Sequence, residues 1–183
     1  MSEFIIKINA LKKQEAEYGW TVLHMAAIYG QVKVCESIMK HINYKNPKFN
    51  LVGGYGNPTP LHNAAELGHV DVCELIIKQI DDKHPRDNKG WTPLHYAADN
   101  GTLEICELII KNIKDKHPRT INGNTPLHLA AEKGHLKVCM LILQSVKCKN
   151  LRNHNGKTPL TLARENEHFK VCWILEKVWN CVP

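Results

Sequence analysis

Thr92-Pro93-Leu94-His95-Tyr96-Ala97-Ala98-Asp99-Asn100-Gly101 carries a start signal, a close-packing signal and a stop signal for one short helix. Thr suits a helix N-cap, because its hydroxyl accepts a bond from an amide that has no partner inside the helix. Pro suits the first turn, where no amide is needed. The paired alanines leave room for a second helix to approach. Gly takes the left-handed conformation that ends many helices. The string recurs as Thr59-Pro60-Leu61-His62 with Ala64-Ala65 and Gly68, and as Thr125-Pro126-Leu127-His128 with Ala130-Ala131 and Gly134.

The recurrence keeps a ruler. Thr21, Thr59, Thr92, Thr125 and Thr158 lie at intervals of 38, 33, 33 and 33, and so do Cys35, Cys73, Cys106, Cys139 and Cys172. Two unrelated residue types in one phase identify a repeat protein. After each Gly, apolar residues fall at helical spacing: Val72, Leu75, Ile76 and Ile80, matched by Ile105, Leu108, Ile109 and Ile113. A polar stretch then closes on Asn122-Gly123 or Asn155-Gly156, which predicts a tight two-residue turn. Each unit therefore reads as helix, turn, helix and a projecting loop.

This unit resembles the ankyrin repeat, over residues 19 to about 180. The resemblance implies an all-α ankyrin-repeat solenoid of helix-turn-helix units with projecting β-hairpin-like loops. First helices and loop tips would line a concave face, and second helices a convex back. The expected organisation is a single domain over 1–183: an N-terminal half-repeat or cap at 1–18, repeats near 19–55, 56–89, 90–122 and 123–155, and a C-terminal capping repeat at 156–183. The last unit has Thr161 for His, Arg164 for the second Ala and Glu167 for Gly, and the first has Val22 for Pro. Polar substitutions of this kind suit an end cap. Residues 3–7 align with residues 74–78, which fits either a half-repeat cap or a segment of a longer array. The interval of 38 places five extra residues between Ile42 and Thr59. That loop, 43–58, holds Phe49, Leu51, Val52 and Tyr55 among Gly53, Gly54 and Gly56, and predicts a longer finger. Insertions in repeat folds often lie on the binding face.

Composition narrows the function classes. No apolar run approaches the ~20 residues of a membrane-spanning helix, and Lys7 interrupts the N-terminal apolar stretch too soon for a secretory signal. Seven cysteines without such a signal point to a reducing, intracellular setting, cytoplasmic or nuclear. No two of them lie closer than nine residues, whereas zinc ligands arrive in close pairs. In-phase cysteines on helices packed roughly 8–10 Å apart are too distant for the Cα separation of about 4.4–6.8 Å that a disulfide needs. They read as a ladder of buried thiols. His24, His62, His95 and His128 read as structural, and the resemblance implies that they tie adjacent units together. No nucleophile elbow or His-Glu-x-x-His pattern is present, and Gly53-Gly54-Tyr55-Gly56 lacks the Lys-Ser/Thr of a nucleotide loop. The expectation is a non-enzyme with no catalytic residue, metal or cofactor.

Recognition is the alternative to chemistry. The resemblance implies that partners touch the loop tips just before each Thr and the two positions before each helix-ending Gly. These positions hold Tyr18, Trp20, Ile28, Tyr29, Tyr55, Leu67, Lys89 and Trp91, then turn polar with Asp99, Asn100, Asn122, Asn124, Glu132, Lys133 and Lys157. From them Tyr18, Trp20, Ile28, Tyr29, Tyr55, Leu67, Lys89, Trp91, Asn100 and Lys133 are the expected partner-binding set. Exposed Tyr and Trp make good anchors, so Tyr29→Ala, Tyr55→Ala or Trp91→Ala is expected to weaken a protein partner and spare the fold. The Trp rings could instead lie on neighbouring loops and cover backbone. A second pattern is basic: Lys45 and Lys48, Lys83 and Arg86, Lys116 and Arg119, Lys149 and Arg152. In register they would form a stripe for an acidic peptide, a phosphorylated segment, nucleic acid or anionic lipid. Asp81, Asp82, Asp87 and Asp115 favour ordinary solvated loop charge instead. Asn150 matches a loop position that, by the resemblance, an intracellular oxygenase can hydroxylate, and His84 and His117 hold the equivalent place. The reading is a monomeric, non-catalytic protein-binding module weighted to its N-terminal half. Polyanion binding and a spacer role in a longer array are the alternatives.

Overall fold

The computed structural model describes residues 21–41, 56–145 and 151–180. Ten helices and no strand occur among the described residues. They pair as α1 (Val22–Ile28) with α2 (Val32–Met39), α3 (Pro60–Glu66) with α4 (Val70–Gln79), and α5 (Pro93–Asn100) with α6 (Leu103–Asn112). α7 (Pro126–Glu132) with α8 (Leu136–Ser145) and α9 (Pro159–Glu165) with α10 (Phe169–Asn180) complete the series. First helices contact first helices and second helices contact second helices, from unit to unit, so the stack has two rows. The alanine pairs, together with Leu23, Leu61, Leu94 and Leu127, are buried between the rows. Cys35, Cys73, Cys106, Cys139 and Cys172 are buried free thiols, one per unit.

The Thr-x-x-His spacing builds the start of each first helix. Thr59, Thr92 and Thr125 each form a capping box with the His three residues on. The imidazole Nδ1 accepts the Thr amide at 3.0, 3.1 and 3.2 Å for His62, His95 and His128. Because Nδ1 accepts, Nε2 carries the proton. It donates to a carbonyl of the following loop: Trp91 O at 3.1 Å from His62, Asn124 O at 3.2 Å from His95, and Lys157 O at 3.2 Å from His128. His24 reaches Pro58 O at 3.1 Å in the same way. One ring thus caps its own helix and binds the next unit.

A second set of histidines, for which the repeat pattern suggests no role, joins the units again. His69, His135 and His168, just before the second helices, donate Nε2–H to Ile28 O, Asp99 O and Glu132 O at 2.8, 2.9 and 2.9 Å. Where Thr102 replaces this His, Asn100 Nδ2 donates to Glu66 O instead.

The loop turns differ from the expected two-residue type. Gly123 N–H donates to Thr120 O at 2.9 Å while Thr120 N–H donates to Asn124 O at 2.9 Å, leaving three residues in the loop. The same bonds close residues 87–91 and 153–157. A two-residue Asn-Gly turn needs both residues left-handed, yet here Gly123 is left-handed (φ 76°) and Asn122 is not. The physical reason is the side chain at the loop entrance. Asp87 Oδ1, Thr120 Oγ1 and Asn153 Oδ1 accept the amide four residues on, at 2.7, 3.1 and 2.9 Å, and hold the longer loop closed.

Candidate functional site

The ends of the first helices form one edge of the stack, with one C-terminal side chain per unit: Tyr29, Leu67, Asn100, Lys133 and Asn166. α1 and α3 are in contact, so Tyr29 and Leu67 stand on neighbouring units. They are 66% and 51% exposed. Ile28 beside Tyr29 is half-buried, and its carbonyl is taken by His69. The residues one step earlier in the next units, Glu66, Asp99, Glu132 and Glu165, form a carboxylate row. Burial, and then the charge of Asp99, raise the Glu66 carboxyl above its ordinary value. Glu165 pairs with Lys157 at 2.6 Å. The edge therefore runs from apolar at the first two units to acidic in the middle.

Other expected site residues are differently placed. Lys133 and Lys89 are exposed, and Asn100, also exposed, is occupied by its bond to Glu66 O. Trp91 departs from the expectation of a free anchor. It is half-buried, with its ring 5.0 Å from Tyr96 and 6.0 Å from His95. Tyr96 in turn meets His62 edge-on at 5.6 Å and donates its hydroxyl to buried Asp87 at 3.0 Å. Burial, and then the Asp87 charge, raise the Tyr96 phenol far above its ordinary value. The Trp91 ring thus packs within the third unit, while its carbonyl accepts from His62 of the second. Tyr18, Trp20 and Tyr55 lie outside the described residues, as do Lys45, Lys48, Lys149 and Asn150.

The described part of the basic row has a structural occupation that spacing alone does not reveal. Arg86 Nη1 donates to Gly90 O at 3.3 Å and across to Arg119 O at 2.6 Å. Arg119 Nη1 repeats this with Gly123 O at 3.1 Å and Arg152 O at 2.8 Å, and Arg152 holds Gly156 O at 2.8 Å. The Arg86 and Arg119 guanidiniums each cross from their own loop to the next. Lys83 and Lys116 are half-buried. Asp82 and Asp115 accept the His84 and His117 amides, both at 2.9 Å.

Several buried thiols and imidazoles are held in their neutral forms. Burial pushes the Cys35 thiol up to about 11 and those of Cys73, Cys106 and Cys139 up to about 12. Burial lowers His95 to about 3 and His128 to about 4, so both rings are neutral. Among the described residues no group of three or more His, Cys, Asp or Glu is placed to hold a metal, and no helix is long and apolar enough to cross a membrane.

Comparison with known families agrees with the geometry. A model for three copies of ankyrin repeats matches residues 42–120 and 111–180, and a single ankyrin-repeat model matches residues 18–47. A search of curated proteins finds no match. Stacked helix pairs, the Thr-x-x-His joints and these matches lead to one conclusion: the chain belongs to the ankyrin-repeat family.

Proposed function

We propose that this chain binds another protein along the edge formed by the ends of its first helices. Tyr29 and Leu67 act as the apolar anchor, and the Glu66–Asp99 carboxylates beside them favour a partner with a basic group next to its apolar side chain. Ankyrin repeats are generally protein-interaction modules, and that is the background to the reading. The observation that carries it is the exposure of Tyr29 and Leu67 at positions where later units have Asn100, Lys133 and Asn166. Large apolar side chains left in water on adjacent units mark a contact site. Tyr buries much area for little lost rotamer freedom. Five buried thiols suit a reducing intracellular compartment, where we place the interaction. The arginines of the basic row are engaged with loop carbonyls, which gives polyanion binding no comparable support.

The test has two stages. Proximity labelling with the wild-type chain supplies a partner, and calorimetry then compares Tyr29→Ala and Leu67→Ala. Each substitution should cost about 1–2 kcal/mol of binding and leave the melting temperature unchanged. Partner affinity unaltered in both variants would sink the proposal.

A further inference from the structure

The second row of helices carries a different surface at its C-terminal end. One outward position is held by Glu36, Glu74 and Glu107 in the first three units, then by Met140 and Trp173 in the last two. Glu36 and Glu74 pair with Lys40 and Lys78 at 3.1 and 2.7 Å, the ordinary pattern of a solvated helix face. Three residues earlier stand Lys33, Asp71 and Glu104, followed by Lys137 and Lys170. The back of the stack thus exchanges acids for an apolar side chain and a cation, unit for unit, between α6 and α8.

At the Met140 position the exposure does not come from the end of the stack. Met140 is 42% exposed although its unit has described neighbours on both sides, and Trp173 at the same position is 58% exposed. Phe169, at 76%, extends the patch. Between α8 and α10 lies a groove of about 400 Å³ lined by Leu136, Phe169, Lys170, Trp173 and Ile174. Lys177 Nζ sits 4.0 Å over the Trp173 ring. α8 has no acidic residue, and Glu176 of α10 is taken by Arg164. The groove is therefore apolar within and positively charged at its rim.

We propose that this groove docks an acidic amphipathic segment of another protein, its apolar side chains on Leu136, Ile174 and Trp173 and its carboxylates toward Lys137, Lys170 and Lys177. Charge decides the class of partner, and a helix laid in a groove supplies the spacing. A second copy of this chain fits poorly. The acidic back of α4 and α6 has no exposed large apolar side chain among the described residues. An anionic membrane would engage the lysines and exposed aromatic rings but makes no specific use of a groove between two helices, and the vesicle measurement below separates the two. The site lies on the second-helix row and does not depend on the edge proposed above.

Peptide display against the full chain tests the proposal, with the double variant Met140→Glu, Trp173→Glu as counter-target. Both substitutions restore the residue type that the first three units carry there, and circular dichroism confirms folding. Enriched peptides should pair an apolar helical stripe with Asp or Glu, and bind the double variant at least about tenfold more weakly. Lys170→Glu should weaken them similarly, rising salt should weaken them further, and Tyr29→Ala should leave them unchanged. Several results overturn the proposal: no enrichment, enriched peptides that are basic, or equal binding to the double variant. Binding of phosphatidylcholine–phosphatidylserine vesicles without peptide binding, or a concentration-dependent dimer abolished by the double variant, would assign the groove to a membrane or a second copy instead.

Discussion

The third and fifth units both begin Thr-Pro-Leu and part at the next residue, His95 in one and Thr161 in the other. His95 bonds backward to the Thr92 amide and forward to Asn124 O in the following unit. Thr161 takes up the local half alone: its amide donates to Thr158 Oγ1 at 3.1 Å and the two hydroxyls lie 3.0 Å apart. The helix forms in both cases. The His therefore belongs to the joint between units, whereas Thr and Pro suffice to start the helix. The same contrast runs through Gly134 and Glu167, both left-handed at φ 77° and 59°. A Cβ on Gly134 would stand 2.6 Å from the His168 ring of the next unit.

Acid should act most strongly on the joints. His95 and His128 have folded values of about 3 and about 4, depressed chiefly by burial from an ordinary value of 6.5. A depressed group stabilises the fold fully above its unfolded value, and that stability is lost as pH falls toward the folded value. Below about pH 6.5 the unfolded chain takes up protons that the folded joints refuse. Two such groups predict a loss on the order of 4 kcal/mol between about pH 6.5 and about 4.5. Burial also lowers His84 and His117, which adds in the same direction. Urea unfolding midpoints across that range measure it. A flat profile would mean the joints tolerate imidazolium.

Removing one joint comes next. His95→Ala leaves the Thr92 amide and Asn124 carbonyl without their partner and strips a ring from beside Trp91. The expected cost is on the order of 3 kcal/mol. Thr161→Ala in the last unit loses one half-buried hydroxyl contact and should cost about 1 kcal/mol or less. Comparable losses in the two variants would erase the distinction between joint and cap.

Much of this is legible in the residues, for a physical reason. Helix starts and stops are local, so Thr-Pro and Gly place α3, α5 and α7, and the common ruler of Thr and Cys places the stack. The joints made by His69, His135 and His168 escape such a reading because their partners belong to the preceding unit and become near only on stacking. A signal exists, since His135 and His168 share the spacing of 33 that marks the unit. Arg86, Arg119 and Arg152 keep the same spacing, but a cation on a ruler reads equally as a ligand stripe or a strut, and only the carbonyl positions separate the two. Register is enough to put Tyr29 and Leu67 on one edge. It does not tell that Trp91 turns onto Tyr96, because that depends on the buried Asp87 that holds the Tyr hydroxyl.

The last comparison concerns the turn between helices. A Cβ added to Gly68 would meet no atom within 4 Å, because Thr102 stands where the other joints place a His ring. Gly68→Ala should therefore cost only the left-handed backbone penalty, about 1–2 kcal/mol. Gly134→Ala should cost more, since the His168 ring must also move from its bond to Glu132 O. Glu167 already bears that penalty in the last unit, so Glu167→Gly should stabilise the chain by about 1 kcal/mol. Thermal melts of the three variants give the order directly. Were Gly68→Ala as damaging as Gly134→Ala, the cost would lie in the backbone conformation alone and the His168 ring would have no part in it.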